Sequence, residues 1–152
     1  MELKKIDKNS MKLAFEYLKE QRGDVEYSYE MFSDYVTKFI SIDDPKHSIL
    51  ISYKENEPVG LISYNRFLIP RYLGFGYEIE ELVIDNNHQG KGYATELIEQ
   101  FFQFLKELEK DNYSSMRKII VKTDNRVVGK KLYGKYFNKI DMSVYSKEIN
   151  YL

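Results

Sequence analysis

Residues 89–94 read Gln-Gly-Lys-Gly-Tyr-Ala, between the apolar run Glu81-Leu-Val-Ile-Asp85 and a long amphipathic stretch. A strand that runs through a glycine-spaced turn into a helix aims backbone N–H groups and the positive end of the helix dipole at one point. A phosphate group fits there. Gly90 and Gly92 carry no Cβ and let the backbone approach an anion closely, and Lys91 either adds charge or is simply solvated. Just upstream stand three carboxylates, Glu78, Glu80 and Glu81. Carboxylates beside a binding turn are candidates for taking up a proton. In a regular strand Glu78 and Glu80 share one face and Glu81 points to the other.

Two other phosphate motifs are excluded. A dinucleotide fingerprint needs a third glycine, and position 95 is Thr. It also belongs to an early strand, whereas this turn lies past mid-chain. No Gly-x-x-x-x-Gly-Lys-Ser/Thr string occurs, so there is no P-loop.

The turn resembles the pyrophosphate loop of the GNAT acetyltransferase superfamily, which reads Gln or Arg, two residues, Gly, one residue, then Gly or Ala. Gln89, Gly92 and Ala94 fill those positions. The resemblance implies acetyl-coenzyme A as cosubstrate, held by Gln89, Gly90, Lys91, Gly92, Tyr93, Ala94 and Thr95. It further implies that the backbone of Leu82, Val83 and Ile84 lines the pantetheine arm where two parallel strands splay apart. As side chains, these three read equally as core.

A second part of the family pattern is Val, three residues, Asn, then a helix with Leu-Tyr and Phe. Val121, Asn125, Leu132-Tyr133 and Phe137 match it. The spacing from Asn125 to Tyr133 is one residue longer than the pattern, so Tyr136 is an alternative to Tyr133. Asn125 is expected to support the cofactor or simply to cap the helix. The resemblance is specific over residues 75–137 and topological before that.

The implied reaction is attack of an amine on the acetyl thioester. An alkylammonium has no lone pair and must first lose a proton, which a carboxylate can take directly or through water. Glu78 aligns with the base of histone-type members, strand parity favours Glu80 equally, and many members use a water chain instead. Each Glu reads otherwise as an exposed or ion-paired strand residue. Tyr133 would meet the leaving thiolate. With pKa values of about 10 for Tyr and about 8.5 for a thiol, full proton transfer is uphill by roughly 2 kcal/mol, so its role is mainly a hydrogen bond.

The acceptor site should be built by two early helices and the loop before the third strand of the central group. Asp24, Glu26, Glu30 and Asp34 make that region acidic, with Tyr27, Tyr29 and Tyr35 between them. Such a wall could attract a cationic amine, or it is simply a solvated helix face. Arg66 and Arg71 could instead hold a carboxylate. The leading expectation is an N-acetyltransferase for a small primary amine. A protein or peptide acetyltransferase and a non-catalytic acyl-coenzyme A-binding module are the alternatives.

The 152 residues fit a single domain spanning 1–152, with length for one core. Charge is balanced, at a formal net charge of -1, and no basic excess points to nucleic acid. No apolar run reaches the roughly 18 residues of a membrane span, and the N-terminus lacks a signal-peptide core. A cytoplasmic location is the default, and a homodimer stays open. There is no cysteine, so neither a disulfide nor a thiolate nucleophile exists. Two histidines, His47 and His88, are too few for a zinc site, and no metal is expected.

Patterning predicts a strand at 2–7 and a helix from Asn9 or Ser10 to Gln21. A second helix starts from Ser28 with Met31, Phe32, Tyr35, Val36 and Phe39 as its apolar stripe. Strands follow at 48–54, 59–67 and 75–84, then the helix after the glycine turn. A strand at 118–122, a helix at about 126–136 and a strand at 142–149 close the chain. The fold class expected is α/β of the α+β type, a GNAT-like mixed, mostly antiparallel sheet flanked by helices, with a splayed parallel strand pair binding the cofactor.

Overall fold

The computed structural model describes residues 1–23, 26–40, 44, 46–122 and 131–138. Two compact units are distinguished, Met1–Lys122 and Thr123–Leu152. In the first unit the order is β1 (Glu2–Lys5), α1 (Met11–Arg22), α2 (Tyr29–Phe39), β2 (His47–Lys54), β3 (Glu57–Ile69), β4 (Gly74–Ile84), α3 (Tyr93–Leu108) and β5 (Met116–Val121). In the second unit, residues 131–133 are helical. Asn125 and the strand expected at 142–149 lie outside the described residues.

The five strands form one sheet in the order β1-β2-β3-β4-β5. The first three pairings are antiparallel and β4–β5 is parallel. Only the parallel pair needs a crossover, and α3 supplies it. The β2–β3 hairpin turns on Glu55 and Asn56, both at positive φ (52° and 68°). Two such residues in a two-residue loop match the right-handed twist of the strands.

One face of the sheet, with Ile49, Ile51, Leu61 and Val83, buries α1 and α2 through Ala14, Phe15, Phe32 and Val36. The opposite face packs α3, where Phe101 meets Tyr64 at 5.3 Å between ring centroids. Burial pushes the Tyr64 and Tyr77 hydroxyls well above the ordinary tyrosine range, and a hydrogen bond to Glu109 adds to the effect at Tyr77. Tyr77 donates to Glu109 Oε1 at 2.5 Å, and Arg66 Nε donates to the same oxygen at 2.8 Å.

The first helix starts at Met11 with Ser10 at its N-cap position, as the sequence suggests, but the Ser10 side chain makes no cap hydrogen bond to it. That side chain instead joins Asp7 across the turn that leads into the helix. Asp7 Oδ1 accepts from the N–H groups of Asn9 and Ser10 at 2.9 and 2.8 Å, and Ser10 Oγ accepts from the Asp7 N–H at 2.9 Å. The exchange is reciprocal, as in a capping box, but it closes the turn before the helix. At α2 the expected cap holds, with Ser28 Oγ accepting from the Met31 N–H at 3.3 Å.

The register of β4 departs from a regular ladder. Tyr64 pairs with Ile79 and Ile62 with Leu82, so two steps along β3 face three along β4. Glu80 is the extra residue of a β-bulge. Because Ser63 and Asn65 share a face, their partners Glu81 and Glu78 share it too. The expected opposition of Glu78 and Glu81 is therefore corrected: the bulge inverts the parity between them.

Candidate active site

β4 ends at Ile84 and a short 3-10 turn, Asn86–His88, follows. Asp85 fixes it: its Oδ2 accepts from the Asn87 N–H at 3.2 Å and lies 2.7 Å from His88 Nδ1. The His88 ring stacks on Tyr93, centroids 6.1 Å apart, which makes it a packing residue of the turn. Gln89 turns back rather than outward. Its Nε2 donates to the Ile84 carbonyl at 3.3 Å and to Asn86 Oδ1 at 2.9 Å.

Gly90 and Gly92 sit at φ +75° and +80°, where a Cβ is strained, and a Cβ added at either would meet no protein atom within 4 Å. Space above the turn is open. Gly92 is the N-cap of α3 and supplies no side-chain acceptor. The first intrahelical bond there runs from Glu96 N to Gly92 O at 3.2 Å. The N–H groups of Tyr93, Ala94 and Thr95 thus precede the helical ladder and point to the turn. The one carboxylate in that first turn, Glu96, is compensated. Lys54 Nζ lies 2.8 Å and the Met1 ammonium 3.0 Å from its Oε1. The Lys54 hydrogen bond, then that of the N-terminus, holds the Glu96 carboxyl below the usual range. Lys91 is exposed. Among the described residues no cluster suited to a metal ion occurs.

The parallel ladder described between β4 and β5 runs from Phe75↔Met116 to Ile79↔Val121. Leu82–Ile84 have no β5 partner among the described residues, and their backbone leads directly to the glycine turn. A strand edge of that kind is a place where an extended ligand can add like a strand. The Val83 and Ile84 side chains are buried, Val83 within the core, so it is backbone and not side chain that is offered.

On the α1–α2 face, next to the bulge, lies a cleft of roughly 1070 Å³. Glu80, Glu81, Ser63, Asn65 and His47 line one side; Glu26, Tyr27, Met31, Tyr35 and Phe39 line the other. Asn65 Nδ2 donates to Glu80 Oε1 at 3.2 Å. Glu78 is on the same face but does not line the cleft, and its Oε1 is 2.5 Å from Lys122 Nζ. The hydrogen bond to Glu78 raises Lys122 above the ordinary lysine range.

Of the early acidic residues, Glu26 reaches the cleft while Glu30 and Asp34 do not line it; Asp24 lies outside the described residues. Neither Arg66 nor Arg71 lines it. Arg66 is spent on Glu109 and stacks 3.8 Å from the Phe75 centroid, and Arg71 lies 5.6 Å from the Tyr72 centroid. Ser63, Asn65 and His47 escaped the sequence reading. Alternation along β2 and β3 puts all three on one face, but nothing in their types distinguishes them from ordinary strand residues.

In the second unit the Phe137 N–H donates to the Tyr133 carbonyl at 2.8 Å, and the two rings meet edge to face at 6.1 Å. Tyr136 also bonds back to the Tyr133 carbonyl, at 3.0 Å.

The sequence matches the family model for GNAT acetyltransferases over residues 11–137. The chain belongs to the GNAT acetyltransferase family. Solved structures with the same GNAT fold are similar across their whole length. A possible acetyltransferase from Clostridium difficile 630 gives a TM-score of 0.75 at 14% identity, covering 99% of this chain and 98% of that one. A ribosomal-protein-alanine N-acetyltransferase from Brucella melitensis biovar Abortus 2308 gives 0.73 at 15%, covering 98% and 99%. An aminoglycoside 6'-N-acetyltransferase from Acinetobacter haemolyticus gives 0.68 at 16%, covering 99% and 100%. At such identities the likeness is one of fold. Among curated proteins none matches. Among the described residues no helix is long and apolar enough to cross a membrane.

Proposed function

We propose that this GNAT protein is an N-acetyltransferase that moves the acetyl group of acetyl-coenzyme A to a small primary amine by direct attack in a ternary complex. One observation carries the reading. A single strand, β4, carries its backbone at Leu82–Ile84 into an open glycine turn, and its bulge presents carboxylates to a cleft. Donor and acceptor sites on one strand are what a direct transfer needs.

In this reading the N–H groups of residues 89–95 hold the diphosphate, and the Leu82–Ile84 backbone holds the pantetheine arm. Lys91 adds charge, and Asn125 supports the cosubstrate from beyond the described residues. Glu80 or Glu81 takes a proton from the substrate ammonium, directly or through water. The freed nitrogen lone pair forms the new C–N bond at the acetyl carbonyl carbon, and the C–S bond electrons leave with sulfur. The second nitrogen-bound proton departs as the amide forms, and the thiolate is met by the Tyr133 hydroxyl or protonated by solvent. The family match spans residues of both units, which supports their acting together as one acetyltransferase domain.

The test is release of coenzyme A thiol from acetyl-coenzyme A in the presence of primary amines. The protein contains no cysteine and gives a thiol reagent no background. Protein- and amine-dependent thiol release is the result expected; a rate equal to spontaneous hydrolysis with every amine would overturn the assignment.

A further inference from the structure

The second helix carries more apolar surface than the core absorbs. Phe32 and Val36 are 5% and 0% exposed, whereas Met31, Tyr35 and Phe39 are 63%, 52% and 59% exposed. The last three recur at i, i+4 and i+8, so they form one stripe. All three line the cleft, and the Tyr35 and Phe39 rings lie 5.5 Å apart. An exposed stripe of large apolar residues that fronts a concavity marks a ligand wall rather than a packing remnant.

Across the cleft the chemistry changes. Glu80 and Glu81 stand together at the bulge, and Glu26 is the remaining carboxylate of the lining. Among the described residues no Lys or Arg belongs to that lining. The histidine of the lining, His47, holds the Phe39 carbonyl through Nε2 at 3.0 Å. The bulge end of the cleft is therefore anionic, and the α2 stripe facing it is apolar, with Glu26 on the same wall.

We propose that the cleft selects a primary amine with a single cationic nitrogen on a flat apolar body. The nitrogen lies toward Glu80 and Glu81 and the body on Met31, Tyr35 and Phe39. The proposal rests on the transferase reading above and narrows its acceptor. A ring on the Tyr35–Phe39 pair gains apolar burial and aromatic contact. A polycation would set its further ammonium groups against the apolar stripe, on a wall where Glu26 is the one carboxylate among the described residues. An amino acid would bring a carboxylate to a cleft whose described lining holds no Lys or Arg to receive it.

Three probes separate these cases: 2-phenylethylamine, a linear triamine, and phenylalanine. Each is titrated calorimetrically into the protein, and each is assayed by thiol release with acetyl-coenzyme A. The aromatic monoamine should bind tightest and exceed the other two in kcat/KM by about tenfold or more, the worth of burying one ring. The double substitution Met31→Ser with Tyr35→Ser should raise its KM by about tenfold on the same ground. If that variant does not fold, Met31→Lys alone sets a cation in the wall and should raise the KM for the monoamine. Preference for the triamine or phenylalanine overturns the proposal, as does a folded double variant with unchanged KM or no binding by any probe. Monoamine binding in the expected order without thiol release upholds the cleft and sinks the transferase reading. Thiol release in the reverse order does the opposite.

Discussion

The side-chain amides of Gln21 and Gln89 donate to the same two oxygens, each 3.3 Å from the Ile84 carbonyl and 2.9 Å from Asn86 Oδ1. The last turn of α1 and the glycine turn are thereby fastened to the end of β4. Glu20 adds a contact by accepting from Asn86 Nδ2. Gln89, read from sequence as part of the binding turn, acts there as a positioning residue. Gln21→Leu should weaken coenzyme A binding about three- to tenfold, the worth of one neutral hydrogen-bond pair, although Gln21 need not touch the ligand. Calorimetric Kd values for Gln21→Leu and Gln89→Leu check this. Unchanged affinity in both would mean that the turn holds its shape without them.

The three carboxylates of β4 should separate kinetically. Glu80→Gln and Glu81→Gln should each lower kcat/KM near neutrality by about tenfold, part of one general-base contribution, and higher pH should restore some of it as the amine deprotonates. Glu78→Gln should do less, because Lys122 already occupies that carboxylate and, with its pKa raised, stays charged across the accessible range. Three pH–rate profiles superimposing on wild type would point to a water chain instead.

Tyr133→Phe should lower kcat more than it weakens acetyl-coenzyme A binding, since a hydrogen bond to the leaving sulfur grows in the transition state. A loss of about 10²-fold is in the range of such a group. A wild-type Tyr133→Phe beside a crippled Tyr136→Phe would transfer the role by one helical turn.

Asp7→Ala should destabilise the protein by about 1 kcal/mol through loss of the hydrogen-bonded turn that leads into α1. The Ser10 hydroxyl is the main cause of the lowered Asp7 pKa, followed by the Ser10 N–H. A lowered folded-state pKa means stability present above the unfolded pKa and lost as pH falls through the folded one. Urea midpoints should therefore converge for wild type and Asp7→Asn in acid and diverge toward neutrality.

The strand–turn–helix unit around Ile84–Ala94 was legible because its signals are local: an apolar run, two glycines and a helical period. The five strands and three helices of the first unit followed from alternation and spacing for the same reason. The bulge at Glu80 was not, since a run of three glutamates around it hides the phase change that Ile79 and Leu82 would otherwise reveal. The stripe of α2 was found, but periodicity reports that a face is apolar and not what it faces. Phe32 and Val36 entered the core while Met31, Tyr35 and Phe39 turned to the cleft. Ser10 was found at the start of α1, but not that its hydroxyl is taken by Asp7 across the preceding turn, since residue type does not say which backbone or side-chain partner a serine takes.

The central claim is that the open glycine turn holds coenzyme A, and one titration tests it. Gly92 has φ +80° and empty space where a Cβ would go, so Gly92→Val fills the ligand's approach and strains the turn while its Cβ meets no protein atom. Calorimetry with coenzyme A should show at least a tenfold loss of affinity, about 1.4 kcal/mol. Wild-type affinity in a folded Gly92→Val protein would contradict the account.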